Sequence, residues 1–253
     1  MSRSALFIPS TRGMGHVVRS RALANELCER GWSCSTSGGK RPPGFKGDVV
    51  VVDGDGMDPN VYDWPCKVVA IQDAPRDHRR CTFVVRPSAG LDPQSVPGHL
   101  LGKMMVGSRF ALIRREFIAM SGINPGLCRE DGQRPVWDAR FVKDLSAETV
   151  ALCMVNAAVV ITYGGMRAME AACVGVPMVV LARNEGELLN AQGLARAGAA
   201  KHVAEDDQVD DMVAKMLRYP QEKLRAMSDA GRALVDGRGC QRVADAIEEE
   251  VGA

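Results

Sequence analysis

The sequence is first narrowed by what it lacks. In its 253 residues there is no apolar run near the roughly 18 residues that a membrane-spanning helix requires. Aromatic residues are only 5% of the chain, so a core must be built from Val, Ala, Leu and Met. Eight cysteines, at positions 28, 34, 66, 81, 128, 153, 173 and 240, include no Cys-x-x-Cys pair and do not cluster. That scatter argues against a disulfide framework or a zinc site and for reduced, mostly buried thiols. Neither a short-period repeat nor a low-complexity segment is present. No leader-like stretch precedes the strand-like Ala5-Leu6-Phe7-Ile8, so a cytoplasmic location is expected.

What is present is the ordinary balance of a globular chain with a core, 46% hydrophobic and 25% charged. Net charge is only +1 but unevenly spread: residues 1–125 carry 17 Lys and Arg against 11 Asp and Glu, the remainder 15 against 20. A basic first half suits an anionic partner, although a solvated surface gives the same count.

The pattern is α/β. Ala5–Ile8 reads as a strand, Arg12-Gly13-Met14-Gly15-His16 as a turn, and Val17–Arg30 as a helix with apolar residues at helical spacing, stopped by Gly31. Val49-Val50-Val51-Val52, Lys67–Ile71 and Thr82–Val85 are β-branched or apolar runs typical of parallel strands buried on both faces. A second series follows: helix 147–155, strand Ala158–Thr162, a Gly164-Gly165 turn, helix Met166–Cys173, strand Val176–Leu181, a helix near 187–197, and helices only from Asp206 onward. We expect a first lobe at 1–118, a connection at 119–145, a second lobe at 146–235 and a C-terminal helix at 236–253 packed back on the first lobe. Both lobes are expected to be doubly wound and Rossmann-like.

Two glycine turns carry the chemistry. Each joins a strand to a helix, which brings free N–H groups and the positive helix end to the sheet edge where open α/β folds bind ligands. The first, through Gly13 and Gly15, lacks the third glycine of the dinucleotide fingerprint. It is instead followed directly by His16, with Arg19 one turn on. An imidazole at a helix N-terminus is disfavoured in its charged form and can act as a base; simple capping is the alternative. The second turn, Tyr163-Gly164-Gly165-Met166-Arg167, could hold a phosphate. Glu170, one turn further among Ala171, Ala172 and Cys173, needs a partner that a ribose would supply. Asp53 closes a strand near Asp55 and Asp58; such carboxylates are common structural features, and no metal site is expected.

Residues 12–19, with Leu23-Ala24 and Leu27, resemble the amino-terminal motif of GT-B glycosyltransferases. The resemblance is strongest to the pseudaminic-acid-pathway nucleotide-sugar hydrolases and, further off, to the peptidoglycan N-acetylglucosaminyl transferases of glycosyltransferase family 28 type. Val69-Ala70-Ile71-Gln72-Asp73 with Arg76 and His78, Leu100-Leu101-Gly102, and Phe110 to Phe117 are similar to the hydrolases' first lobe. Gly164 to Glu170, Gly175-Val176-Pro177 and Asn190-Ala191 are similar to the donor-binding half, and together these segments cover about two-thirds of the chain. The resemblance implies a two-lobed GT-B-like fold and a nucleotide-sugar, expected to be a UDP-sugar, as co-substrate with no permanent cofactor. It implies His16 as general base; apart from the resemblance, Asp53 could orient His16 or touch the acceptor. Gly13, Gly15, Tyr163, Gly164, Gly165, Met166, Arg167, Glu170, Glu187 and Asn190 would line the donor. Two departures stand out. The strand, Gly-Gly loop and helix that open the family's second lobe are deleted or reduced, and Glu187 occupies a position where a Gln is usual.

Three functions are consistent with these residues. The first is a glycosyltransferase acting on an anionic acceptor, such as DNA with hydroxymethylated pyrimidines or a phosphorylated lipid. Arg12, Arg19, Arg76, Arg79, Arg80 and Arg109, and further Arg114 and Arg115, are the candidate acceptor contacts. The second is a nucleotide-sugar hydrolase, and the third a non-catalytic nucleotide-sugar-binding protein.

Overall fold

A computed structural model of the chain describes every residue except 1–2, 12, 39–44, 55–63, 74–79, 97–101, 124, 128–132, 143 and 253. The chain divides into two compact units: Met1–Pro87, Leu91–Leu112 and Arg238–Ala253 form the first, and Ser88–Gly90 and Ile113–Gly237 the second.

The first unit is built on a six-stranded parallel sheet in the order β2-β1-β3-β4-β5-β6. Its strands are β1 (Ser4–Pro9), β2 (Ser33–Thr36), β3 (Val49–Asp53), β4 (Lys67–Ile71), β5 (Phe83–Arg86) and β6 (Met104–Val106). All five residues of β3 are buried, as a central strand covered on both faces requires. The period-two alternation of side chains then divides β1 and β3. Ala5, Phe7, Val49 and Val51 face a core shared with Leu23 and Leu27 of α1 (Met14–Glu29) and Val243 and Ile247 of α8 (Gly239–Val251). Leu6, Ile8, Val50 and Val52 form the opposite cluster with Phe45, Trp64 and Cys66.

The terminal helix is therefore a layer of the first unit. A side chain at Gly239 would place its Cβ 2.0 Å from the Ala111 carbonyl oxygen, so glycine is what lets α8 start against that backbone. Arg30 then ties α1 to Asp245 at 2.6 Å and Glu248 at 2.9 Å.

The second unit carries a four-stranded parallel sheet, β10-β9-β8-β7. These strands are β7 (Val136–Asp138), β8 (Val159–Tyr163), β9 (Met178–Leu181) and β10 (Ala200–His202). Around them lie α2 (Arg115–Ala119), α3 (Ala147–Val155), α4 (Met166–Val174), α5 (Glu185–Arg196), α6 (Val209–Leu217) and α7 (Gln221–Leu234). Residues 168–174 of α4 are all buried. Gly231 permits α7 to approach, since a Cβ there would lie 2.9 Å from the Ala172 carbonyl oxygen.

The fold refines several expectations. Helix α1 begins at Met14, not Val17, so Gly15 and His16 lie in its first turn. Residues 113–145 group with the second unit and do not form a separate connection. They include α2 and the edge strand β7, whose three residues show no usable period in sequence. No glycine stands between β7 and α3, so the reduced opening of this unit keeps its strand but not a Gly-Gly loop. Among the described residues, no helix is long and apolar enough to cross a membrane.

Candidate active site

In the first sheet the chain steps from β1 outward to β2 and then back past β1 to β3. The reversal makes the carboxyl ends of β1 and β3 a topological switch point, where open α/β sheets leave a crevice. The register pairs Pro9 with Asp53 at that end. Beyond β1, Gly13 adopts φ 112°, a conformation that only glycine takes readily, and turns the chain into α1. The helix has no side-chain cap and no acid in its first turn, so the positive end of its dipole is uncompensated there.

His16 is set on this turn. Its Nδ1 lies 2.9 Å from Asp53 Oδ1, and its side chain is 19% exposed. Gly54, at φ 87°, makes the room: a Cβ there would lie 2.7 Å from the imidazole. Asp53 is 1% exposed. It accepts from Arg19 Nε at 2.9 Å on both oxygens, from Arg19 Nη2 at 2.6 Å and from the Ser20 hydroxyl at 2.9 Å. Burial alone pushes the Asp53 carboxyl up. The Arg19 charge, with hydrogen bonds from His16 and Arg19, outweighs burial and holds it below the usual carboxylate range. The polar contacts of His16 with Asp53 and Arg19 are both made through Nδ1, and Nε2 has no protein partner among the described residues.

Arg19, expected on an acceptor surface, is instead internal. Its side chain is 5% exposed, and Nη1 donates to Asp73 Oδ1 at 2.6 Å. With both faces of its guanidinium committed to carboxylates, it is not available to a phosphate. Arg80 and Arg109 are exposed; the Arg109 guanidinium stacks on Phe110 at 4.9 Å and its carbonyl accepts from Arg242. Arg12, Arg76 and Arg79 lie outside the described residues, as do Asp55 and Asp58.

In the second unit, β8 ends at Tyr163 and α4 opens with Gly165 as its N-cap, again without a side-chain cap or an acid in the first turn. The N–H groups of Met166 and Arg167 therefore have no intrahelical acceptor. Arg167 adds a cation here. Among the described residues its buried Nη1 has no hydrogen-bond partner, and Nη2 reaches the Val142 carbonyl at 3.4 Å. Burial disfavours its charge, Glu170 favours it and Arg114 opposes it, with a net lowering of its pKa. A half-satisfied guanidinium beside free N–H groups is suited to an anion.

The other donor candidates are already engaged by protein. Glu170 is 1% exposed and accepts from Arg114 Nε at 2.8 Å, so Arg114 is its ion-pair partner and not a free phosphate contact. Burial raises the Glu170 carboxyl despite that pairing. Glu187 accepts from Arg183 at its backbone nitrogen, Nε and Nη2, at 2.8, 3.2 and 2.6 Å. Arg183 also stacks on Tyr163, 4.2 Å from its ring centre. Asn190 donates to the Gly164 carbonyl at 2.8 Å and accepts from Ser88 Oγ at 2.8 Å and Ala89 N at 2.9 Å. The roles of Ser88 and Arg183 are not legible in sequence, and Asp73 is marked there only as part of a segment similar to the hydrolases' first lobe, because each depends on a partner brought near by folding. Among the described residues, no group of three His, Cys, Asp or Glu side chains could hold a metal ion.

Two parallel α/β units, each with a strand–glycine–helix turn, are the elements of a GT-B-like fold. Solved structures share that fold over nearly the whole chain. MurG of Acinetobacter baumannii matches with a TM-score of 0.62 at 13% identity, covering 98% of this chain and 100% of that one. A UDP-N-acetylglucosamine 2-epimerase matches at 0.64 and 12% identity, covering 100% and 97%. The spinosyn forosaminyltransferase SpnP matches at 0.62 and 13%, covering all of both chains. In sequence, the chain is 36% identical over 109 residues to the spore coat polysaccharide biosynthesis protein SpsG of Bacillus subtilis (strain 168), a match that covers 39% of this chain. The matched segment spans 31% of that relative's length. No family model matches the chain.

Proposed function

We propose that the chain is a glycosyltransferase that moves a sugar from a nucleotide-sugar, with uridine diphosphate the expected nucleotide, to a hydroxyl group. The observation that carries this reading is the His16–Asp53 pair at the switch point of the first sheet. With Nδ1–H directed to Asp53, the Nε2 lone pair is free to take the proton of the attacking hydroxyl. The oxygen bonds to the anomeric carbon as the bond from that carbon to the diphosphate breaks, and the diphosphate leaves with the electron pair. The N–H groups of Met166 and Arg167 and the Arg167 guanidinium would stabilise the charge that develops on it. Tyr163, Gly164 and Gly165 would form the rest of the donor wall, and Glu170 would share its carboxylate between Arg114 and the ribose.

The excess of basic residues in 1–125 supports an anionic acceptor, and Arg80, Arg109 and Arg115 are the exposed ones of its candidate arginine contacts among the described residues. Hydroxymethylpyrimidine DNA is one such acceptor. Its binding must weaken steeply as salt rises, and a flat response removes it. The second reading is hydrolysis, with water in place of the hydroxyl. It is favoured by the internal position of Arg19, which removes one acceptor contact and costs a hydrolase nothing.

The test is incubation with a panel of nucleotide-sugars, with and without acceptors, followed by mass spectrometry. Transfer requires release of nucleoside diphosphate to depend on acceptor. Stoichiometric free sugar without acceptor would assign the hydrolase reading, and tight binding with no turnover under either condition would assign a non-catalytic binder.

A further inference from the structure

The Nδ1 atom of His16 faces two groups that make opposite demands on it. Asp53 Oδ1, at 2.9 Å, needs a proton on Nδ1, whereas Arg19 Nη2, at 3.0 Å, can donate only to a bare Nδ1. A neutral imidazole satisfies one or the other. The outcome decides the chemistry, because a proton on Nδ1 leaves Nε2 as a base and a bare Nδ1 places the proton on Nε2.

The described groups around Nδ1 are Asp53 from β3, Arg19 from the same helix, and the Gly54 backbone. Ser20 and Asp73 act one contact further out. Asp53 is the deciding group. As a carboxylate it can only accept, so a bare Nδ1 at 2.9 Å would set two lone pairs against each other, whereas Arg19 Nη2 already donates to Asp53 Oδ1 at 2.6 Å and loses little when Nδ1 does not accept. If Asp53 were protonated, it would become a donor to Nδ1 and drive the imidazole proton to Nε2. A carboxylate this buried stays ionised only when it is paired, and Arg19 is the only charged partner it has besides His16 among the described contacts. Arg19 cannot swing away, because Asp73 holds its other arm at 2.6 Å.

We propose that Arg19 is a positioning residue which, by clamping Asp53 from one side and being anchored by Asp73 on the other, fixes His16 in the tautomer that leaves Nε2 free. This rests on reading His16 as the base, but its primary test needs no substrate. The full chain labelled with 15N-histidine, with the His16 signals assigned by loss in His16→Gln, reports the tautomer directly. With the imidazole neutral, the wild type should show Nδ1 protonated and Nε2 bare. In Arg19→Met the proton moves to Nε2, and kcat falls about 100-fold, the scale of a lost general base, with KM for the nucleotide-sugar unchanged. Arg19→Lys keeps the charge, and with it the fold, but cannot reach both carboxylates. It should show mixed tautomers and a smaller loss of kcat. Nε2–H in the wild type overturns the proposal outright, and so does a wild-type spectrum with wild-type kcat in Arg19→Lys or Arg19→Met. An absence of sugar turnover would instead count against the transfer reading and leave the tautomer result standing.

Discussion

Asn190 fastens the glycine turn of the second unit: its Nδ2 donates to the Gly164 carbonyl at 2.8 Å while its Oδ1 is held by Ser88 and Ala89. One amide thus fixes two loops, and it can influence the donor only through the turn it supports. Asn190→Asp keeps the acceptor and removes the donor, which leaves the Gly164 carbonyl unpaired. We expect a loss of about 1–3 kcal/mol of stability and weaker binding of uridine diphosphate. Urea unfolding and calorimetric titration measure the two effects. Unchanged affinity with lowered stability would show that the turn does not need this brace to bind.

The adjacent glycines separate packing from binding. A Cβ at Gly164 would lie 2.1 Å from the Glu187 carbonyl oxygen, whereas one at Gly165 would meet only Glu187 Oε1 at 3.6 Å. Gly164→Ala must therefore shift backbone and should destabilise the unit by about 1–3 kcal/mol, the range for overpacking. Gly165→Ala should fold normally yet bind nucleoside diphosphate more weakly, because its methyl group intrudes at the helix N-terminus. Equal thermal stability of the two variants contradicts this assignment.

The parts of the molecule that were legible in sequence are those written locally. The Val49–Val52 run could hardly be anything but a central strand, and the Gly13–His16 and Gly164–Glu170 segments carry their strand–turn–helix context within a few residues. The short strands β2, β6, β7 and β10 were missed because three or four residues do not establish a period. Partnership between distant residues was also illegible. Arg19 reads as a surface cation until folding sets it against Asp53, 34 residues away. Arg114 reads as a phosphate contact until it meets Glu170, 56 residues on. A cation's sequence neighbours do not reveal whether its charge faces solvent or a buried carboxylate.

Asp53 gives the first unit an acid-sensitive joint. Its carboxyl is held below the usual range, so the stability it contributes is fully present above the unfolded value, about 3.9, and is lost as pH falls through the folded value. Thermal melts from pH 7 down to pH 3 should show this loss in the wild type. Asp53→Asn should lack it, but at pH 7 it should be less stable by about 3–5 kcal/mol, because the buried Arg19 then keeps only the half-exposed Asp73 as a charged partner among the described residues. Parallel melting curves for the two proteins across that range would refute the assignment.

Glu170 has the opposite sign. Burial raises its carboxyl above the ordinary value, and Arg114 offsets that only in part. Such a group adds stability below the unfolded value, about 4.3, and the addition is lost as pH rises through the folded value. Removing the cation should make ionisation costlier still. Arg114→Met is therefore expected to lose about 3–5 kcal/mol at pH 8, where Glu170 must either carry its charge unpaired in a site that is 1% exposed or take up a proton against the solution pH. The loss should be smaller at pH 5, where the carboxyl can take up a proton. Adding Glu170→Gln to Arg114→Met should recover most of the deficit at pH 8, since no charge then remains to be buried. Urea unfolding of the single and double variants at both pH values decides the matter. An equal deficit at pH 5 and pH 8 would mean that Arg114 contributes by packing over Phe117, 4.7 Å from the ring centre, and not by pairing with Glu170.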